Sequence, residues 1–85
     1  MAEEMRIGEV SGYYARIGVA AIELTGTLKV GDNIRIKGHT TDFQQAVESM
    51  QIENEDVSQA KAGQAIGIKV QDRARRGDQV YRVTE

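Results

Sequence analysis

The stretch that decides the fold first occurs as KVGDNIRI at residues 29–36, and it returns as KAGQAIGI at residues 61–68 and as RRGDQVYRV at residues 75–83. Each copy has a basic residue, a glycine two positions later, an Asp or Gln, and then spaced β-branched residues. Glycine tolerates the positive φ of a tight turn, the polar side chain can bond nearby backbone, and the spacing is typical of a half-buried strand. The pattern predicts turns that begin strands, with these residues at the turns: Gly31, Asp32, Gly63, Gly77 and Asp78.

Further strand patterns lie on both sides of these turns. A first strand is expected to end at a turn formed by Ser11 and Gly12, and the apolar stretch that follows favours a strand over the alternative of a helix because it is rich in glycine and β-branched residues. The predicted strands cover residues 5–10, 13–24, 34–37, 43–52, 65–70 and 79–84. The three copies of the phrase are unequally spaced, which excludes a solenoid of fixed period.

A short helix is predicted over residues 56–63. Asp56 can cap its beginning, Gln59 completes a capping box, and Gly63 stands where a helix commonly ends. About six strands and one helical turn predict an all-β fold, a small six-stranded barrel that forms a single domain over residues 1–85.

Composition narrows the classes of function. The net charge of −2 argues against a protein that coats nucleic acid indiscriminately, since that requires a broad basic face. Cysteine is absent, which excludes disulfides and thiolate metal sites. No apolar run approaches the ~20 residues of a membrane span, and the start MAEE is unlike a secretory signal. We therefore expect a cytoplasmic protein without a membrane partner.

Motifs for catalysis and for cofactors are missing from the sequence. There is no phosphate-binding loop of the G-x-x-x-x-G-K-[ST] type, so no nucleotide is expected. His39 is the one histidine and lies in a polar stretch, and the acidic run at residues 53–56 lacks the spacing of a calcium loop. We expect no catalytic residues, no metal and no cofactor.

Basic and aromatic residues are the remaining candidates for a binding site. If the barrel brings the glycine turns to one end, their cations form a local positive patch able to contact phosphates. The alternative is that they are solvated residues protecting strand edges. Tyr13 and Tyr14 could stack on bases, although at least one of them is expected to fill the core. The candidate RNA-binding or partner-binding residues are Arg73, Arg75, Arg76, Lys29, Arg35, Lys37, Tyr13 and Tyr14.

The ordered segments resemble a known family. Residues 7–10, 17–20, 26–38, 60–68 and 76–80 are similar to the second domain of translational GTPases such as elongation factor Tu. Residues 38–43 and 47–52 resemble small proteins called translation elongation factor-like, and the C-terminal barrel of collagenase-like peptidases. The resemblance implies a six-stranded translation-factor barrel.

Two functions follow from this resemblance. The first is a non-catalytic module of the translation apparatus that contacts transfer RNA or ribosomal RNA. The alternative is a protein-interaction module that docks on a larger enzyme, such as a peptidase-like partner. A third hypothesis, a small enzyme, is disfavoured because catalytic groups are missing.

Overall fold

Residues 3–84 are described by the computed structural model, and their regular secondary structure is entirely β-strand. The all-β class predicted from the sequence is confirmed. Within residues 3–84, no helix has the length and apolar character needed to cross a membrane. The strands are β1 (Glu3–Tyr14), β2 (Val19–Leu24), β3 (Leu28–Lys29), β4 (Asn33–Lys37), β5 (Asp42–Ala46), β6 (Met50–Ile52), β7 (Glu55–Asp56), β8 (Gln59–Ala60), β9 (Ala65–Lys69) and β10 (Gln79–Thr84).

All three copies of the repeated phrase form the same hydrogen-bonded turn. In the third copy the Asp78 N–H donates to the Arg75 carbonyl at 3.0 Å, and Asp78 Oδ2 accepts from the Arg75 N–H at 2.8 Å. The glycine of each turn has a positive φ, as predicted for Gly31 and Gly77, with values of 99° at Gly31, 90° at Gly63 and 94° at Gly77. A four-residue turn with positive φ at its third residue follows the type II pattern, which favours glycine there.

Each turn also docks on the neighbouring strand through a pair of backbone hydrogen bonds. The Gly77 N–H donates to the Val10 carbonyl at 2.8 Å, and the Val10 N–H donates to the Asp78 carbonyl at 2.8 Å. Two residues of the turn therefore face one residue of β1, which is the arrangement of a glycine β-bulge. The corresponding bonds join Gly31 and Asp32 to Val47, and Gly63 and Gln64 to Leu24. The repeated phrase thus fixes the register of β4, β9 and β10 against their neighbours.

Alternating residues of the longer strands form one apolar core. In β2, Ala20, Ile22 and Leu24 are buried, whereas Val19 and Ala21 lie on the outer face and are only partly covered. The same alternation places the isoleucines of β4 and β9 inside. The largest fully buried side chains are Ile7, Ile22, Leu28, Ile34, Ile36, Met50, Ile68, Val10, Val47 and Val80. This packing leaves the outer face of the sheet available for binding.

The strands do not close into the six-stranded barrel that the sequence predicted. Eight of them form one sheet in the order β5-β4-β10-β1-β2-β9-β6-β7, and β3 pairs with β8 in a separate two-stranded sheet. The chain passes directly from β5 to β6, but β6 pairs with β9 while β5 pairs only with β4. Within residues 3–84, no ladder therefore joins the two edge strands, β5 and β7.

The helix predicted over residues 56–63 is wrong. Gln59–Ala60 forms β8 and pairs with Leu28–Lys29, and Gly63 belongs to the second glycine turn. A helix of about a turn and a half is unstable by itself, because nucleation costs more than so few hydrogen bonds return. Pairing with β3 and burial of Ala60 decide the conformation instead.

The turn predicted at Ser11 and Gly12 is also wrong. β1 runs on to Tyr14, with a register shift between Val10 and Gly12 that accommodates the glycine. The chain reverses at residues 15–18, where the Gly18 N–H donates to the Tyr14 carbonyl at 2.9 Å. The apolar stretch at residues 13–24 is therefore a β-hairpin, not one strand.

Candidate functional site

No metal centre is found in the part of the chain that the structure describes. Among residues 3–84, no group of three or more His, Cys, Asp or Glu side chains is arranged to hold a metal ion. His39 lies exposed in the loop between β4 and β5.

The three clustered arginines lie in the loop between β9 and β10. Arg73, Arg75 and Arg76 are all exposed, and they flank Ala74, which is buried in the core. Asp78 is buried at the end of the same loop. The loop thus presents cations to solvent, as the sequence suggested, and a role for these arginines in contacting a partner protein stays a prediction.

The two basic turns lie at opposite ends of the β4–β10 pair, so the expected pooling is wrong for Lys29, whereas Lys37, opposite Gln79, lies at the end that carries the arginine loop. β4 and β10 are antiparallel, with Lys37 opposite Gln79 and Asn33 opposite Val83. The loop carrying the arginines precedes Gln79, whereas Lys29 precedes Asn33. Lys29 is therefore at the opposite end of this strand pair, roughly 13 Å or more away at ~3.3 Å per residue.

The Arg35 guanidinium is hydrogen-bonded to two carboxylates. Its Nε and Nη2 donate to the two Asp42 oxygens, each at 2.8 Å, and its Nη1 donates to Glu4 Oε2 at 2.8 Å. The hydrogen bonds to Asp42 and Glu4 raise the pKa of Arg35 further above its ordinary value. The hydrogen bond from Arg35 lowers the pKa of Asp42, and the nearby Lys37 adds a smaller effect in the same direction. Arg35 therefore holds the edge strand β5 to β4 and β1.

The two tyrosines have different environments. Tyr13 is partly buried and packs against the core, which fits the expectation that one of the pair fills space. Tyr14 is 57% exposed at the end of β1. It stands beside Ile17 in the β1–β2 hairpin, and Ile17 is 61% exposed, an unusual position for a large aliphatic side chain.

Tyr14 and Ile17 form the wall of a groove, which we call the apolar groove, of about 410 Å³ on the outer face of the sheet. Its floor is made of small apolar residues from β2 and β9, and its rim is polar. The floor consists of Val19, Ala21, Ala65 and Gly67, and the rim consists of Gln51, Glu53 and Asn54. A trough of this shape can accept an apolar side chain from another protein.

Local geometry explains why the groove is open. The floor residues alternate with buried Ile22 and Ile66, so they face outward, and their small side chains leave space above the sheet. At the rim, Glu53 and Asn54 have φ values of 51° and 67°, which produce a tight hairpin between β6 and β7. An exposed apolar surface with a polar rim is typical of a protein-interaction site.

The sequence did not reveal this groove, because residues 13–24 were predicted to form a single strand. The signal was present in the alternation of Val19 and Ala21 with Ala20 and Ile22, which divides the stretch into two faces. Tyr14 was predicted to be a binding residue, but one that stacks on a nucleic-acid base. The structure places it beside aliphatic residues instead.

The fold is that of a C-terminal domain found in a protein assigned to the U32 peptidases. Two crystal structures of such a domain, from a Geobacillus thermoleovorans protein assigned to the U32 peptidases, superpose on this chain with TM-scores of 0.85 and 0.86. They are 22% and 21% identical, and cover 89% and 91% of this chain and 96% and 90% of their own. At this level of identity the similarity shows the shared fold.

Curated relatives are similar in sequence as well. An uncharacterized protease of Methanocaldococcus jannaschii is 43% identical over 83 residues, which are 96% of this chain and 20% of that protein. A collagenase of Porphyromonas gingivalis is 38% identical over 82 residues, which are 94% of this chain and 20% of that protein. The chain thus spans about a fifth of the length of the curated relatives it matches. No family model matches the chain.

These relatives correct the translational interpretation. The homologues are peptidases and collagenases, and the structural match is a peptidase C-terminal domain, whereas the resemblance to elongation factor Tu finds no support among them. The prediction of a translation-factor-like, RNA-binding protein is therefore wrong. The expected resemblance to the C-terminal domain of collagenase-like peptidases is supported. The sheet of this chain, however, is not a closed barrel.

Proposed function

We propose that this chain is a non-catalytic docking domain for a peptidase-like protein, and that the apolar groove is its contact surface. The observation that carries the proposal is the pair of exposed side chains, Tyr14 and Ile17, beside a floor of small residues. Burial of such a pair against a partner removes apolar area from water, which is the main favourable term in protein association.

The relatives support the choice of partner. In the archaeal protease and the bacterial collagenase, a segment similar to this chain is joined to about four times its own length of other sequence. A domain so attached has a large neighbour of peptidase type to pack against. On this proposal the hydrolytic groups belong to that neighbour, and the present chain supplies contacts alone.

Charge on the rim of the groove sets a further requirement on the partner. Among the described residues that line the groove, Glu53 is the one with a carboxylate side chain. A partner that places an aliphatic or aromatic side chain in the trough, with a Lys or Arg toward Glu53, matches both the apolar floor and the rim.

Titration calorimetry with a separated partner tests the proposal. The Methanocaldococcus jannaschii protease is prepared without the segment that matches this chain, and the present chain is titrated into it. We expect saturable one-to-one binding with a dissociation constant on the order of micromolar, as small non-obligate interfaces give. No binding, or peptide hydrolysis by the present chain alone, contradicts the proposal.

A further inference from the structure

The free edge of β5 is joined to the end of β9 by side chains in place of a backbone ladder. Gln45 Nε2 donates to the Lys69 carbonyl at 2.9 Å, and Gln45 Oε1 accepts from the Gln71 N–H at 2.7 Å. Gln71 Nε2 in turn donates to the Gln44 carbonyl at 3.1 Å. We call this junction the glutamine seam.

The Gln45 carboxamide occupies the position that the N–H and C=O of one residue of an added strand would take. The Lys69 carbonyl and the Gln71 N–H flank Val70, whose own N–H is turned away and donates to the Gly18 carbonyl at 2.9 Å. One carboxamide therefore satisfies an acceptor and a donor on the same strand edge. Peptide groups of a paired strand bind such an edge in the same way.

The β5 side of the glutamine seam is suited to the same kind of pairing. The backbone N–H and C=O groups of Phe43 and Gln45 point toward β4, with which β5 pairs. The Gln44 carbonyl faces the seam instead, where it accepts from the Gln71 side chain. Because both polar backbone groups of a residue in an antiparallel strand point to one side, the Gln44 and Ala46 N–H groups face the seam as well. A cavity of about 310 Å³, lined by Gln45, Ala46, Glu48, Lys69, Val70 and Gln71, lies over it.

We infer that the glutamine seam accepts an extended segment of the peptidase-like partner by strand addition. This inference rests on the docking function proposed above and adds a second contact to it. The incoming backbone displaces the carboxamides of Gln45 and Gln71, both of which take part in exposed hydrogen bonds and can turn into solvent. Since hydrogen bonds of the seam are exchanged for hydrogen bonds to the segment, the displacement costs little.

The chemistry of the seam identifies an extended peptide as its occupant. Its walls offer backbone donors and acceptors on both sides, and its ionisable lining residues are one cation, Lys69, and one anion, Glu48. A proline at a pairing position would remove the required N–H, so the segment lacks proline there. An acidic residue of the segment is favoured beside Lys69 and a basic residue beside Glu48.

Short overlapping peptides that cover the rest of the Methanocaldococcus jannaschii protease are the probe. Each is titrated into the full, isotope-labelled chain while backbone amide shifts are followed by NMR. We expect one peptide to bind and to shift the amides of Gln44, Ala46 and Gln71. Methylation of its pairing backbone nitrogens should abolish binding, because strand addition depends on main-chain hydrogen bonds.

A pair of variants makes the test specific. Gln45→Ala removes the competing carboxamide and should tighten peptide binding roughly 3- to 10-fold, since two modest hydrogen bonds no longer oppose it. The matched control is Gln51→Ala, which removes a carboxamide bonded to Asp56 outside the seam and should leave the affinity unchanged.

If the separated partner binds but no peptide shifts the seam amides, strand addition is wrong and docking stands. If a peptide binds at the seam but the folded partner does not bind through the groove, the docking proposal is wrong and strand addition stands.

Discussion

Gly38→Val is expected to lower the free energy of unfolding by about 2–5 kcal/mol, a large part of the ~5–15 kcal/mol typical of a small domain. A Cβ at Gly38 would lie 2.6 Å from Asp78 Cγ and closer still to its Oδ1. The buried Asp78 carboxylate must then move, and the Arg75 N–H that closes the third glycine turn loses its acceptor. Steric overlap and a lost, partly buried hydrogen bond therefore act together.

A second glycine separates crowding from backbone strain. Gly31 has a φ of 99°, but a Cβ there would meet no atom within 4 Å. Gly31→Val should therefore cost only the backbone term, about 1–2 kcal/mol for a side chain forced into the left-handed region. Gly12 has equally open surroundings and an ordinary φ, so Gly12→Val is the matched control and should change stability by ~0.5 kcal/mol or less.

Urea denaturation of the three variants measures these differences as midpoint shifts at constant slope. If Gly38→Val does not fold, Gly38→Ala replaces it, because its Cβ alone already meets Asp78. Equal effects at Gly38 and Gly12 would contradict the close approach of the β4–β5 loop to the third turn.

Ile17→Glu is expected to weaken docking by about 30-fold or more, which corresponds to the ~2 kcal/mol or more lost at a buried interface hot spot. The substitution removes the most exposed aliphatic side chain of the groove and places a charge where the partner buries apolar surface. Because Ile17 lies in the solvent-exposed hairpin turn, the fold should be unaffected.

Met5 provides the control for Ile17. It is 59% exposed, close to the value for Ile17, but it lies near the beginning of β1 beside Arg82 and away from the groove. Met5→Glu should therefore leave docking unchanged when both variants are titrated against the separated partner. Equal losses in the two variants would indicate a general effect of charge rather than a contact in the groove.

The turns could be predicted from the sequence because their information is local. A basic residue, a glycine and an Asp or Gln within four positions determine the hydrogen bonds and the positive φ at Gly31 and Gly77. The strands at residues 65–70 and 79–84 follow directly from these turns and are found at Ala65–Lys69 and Gln79–Thr84.

Contacts between distant segments decide the features that the sequence did not reveal. Residues 56–63 carry capping signals of a helix, yet the pairing of Gln59–Ala60 with Leu28–Lys29 overrides them. The predicted barrel is not closed, because β6 and not β5 pairs with β9. Lys29 and the arginines were expected together, but their separation depends on the antiparallel pairing of β4 and β10. The apolar groove needs β1, β2, β6 and β9 assembled, so its lining could not be recognised from one segment.

Hydrogen exchange of the chain, alone and bound to the separated Methanocaldococcus jannaschii partner, tests the docking claim most directly. We expect new backbone protection around the apolar groove, in residues 14–19, 51–54 and 65–67. Additional protection at Gln44, Ala46 and Gln71 would be the separate mark of strand addition. Protection confined to the arginine loop at residues 73–76, with the groove exchanging as in the free chain, would contradict it.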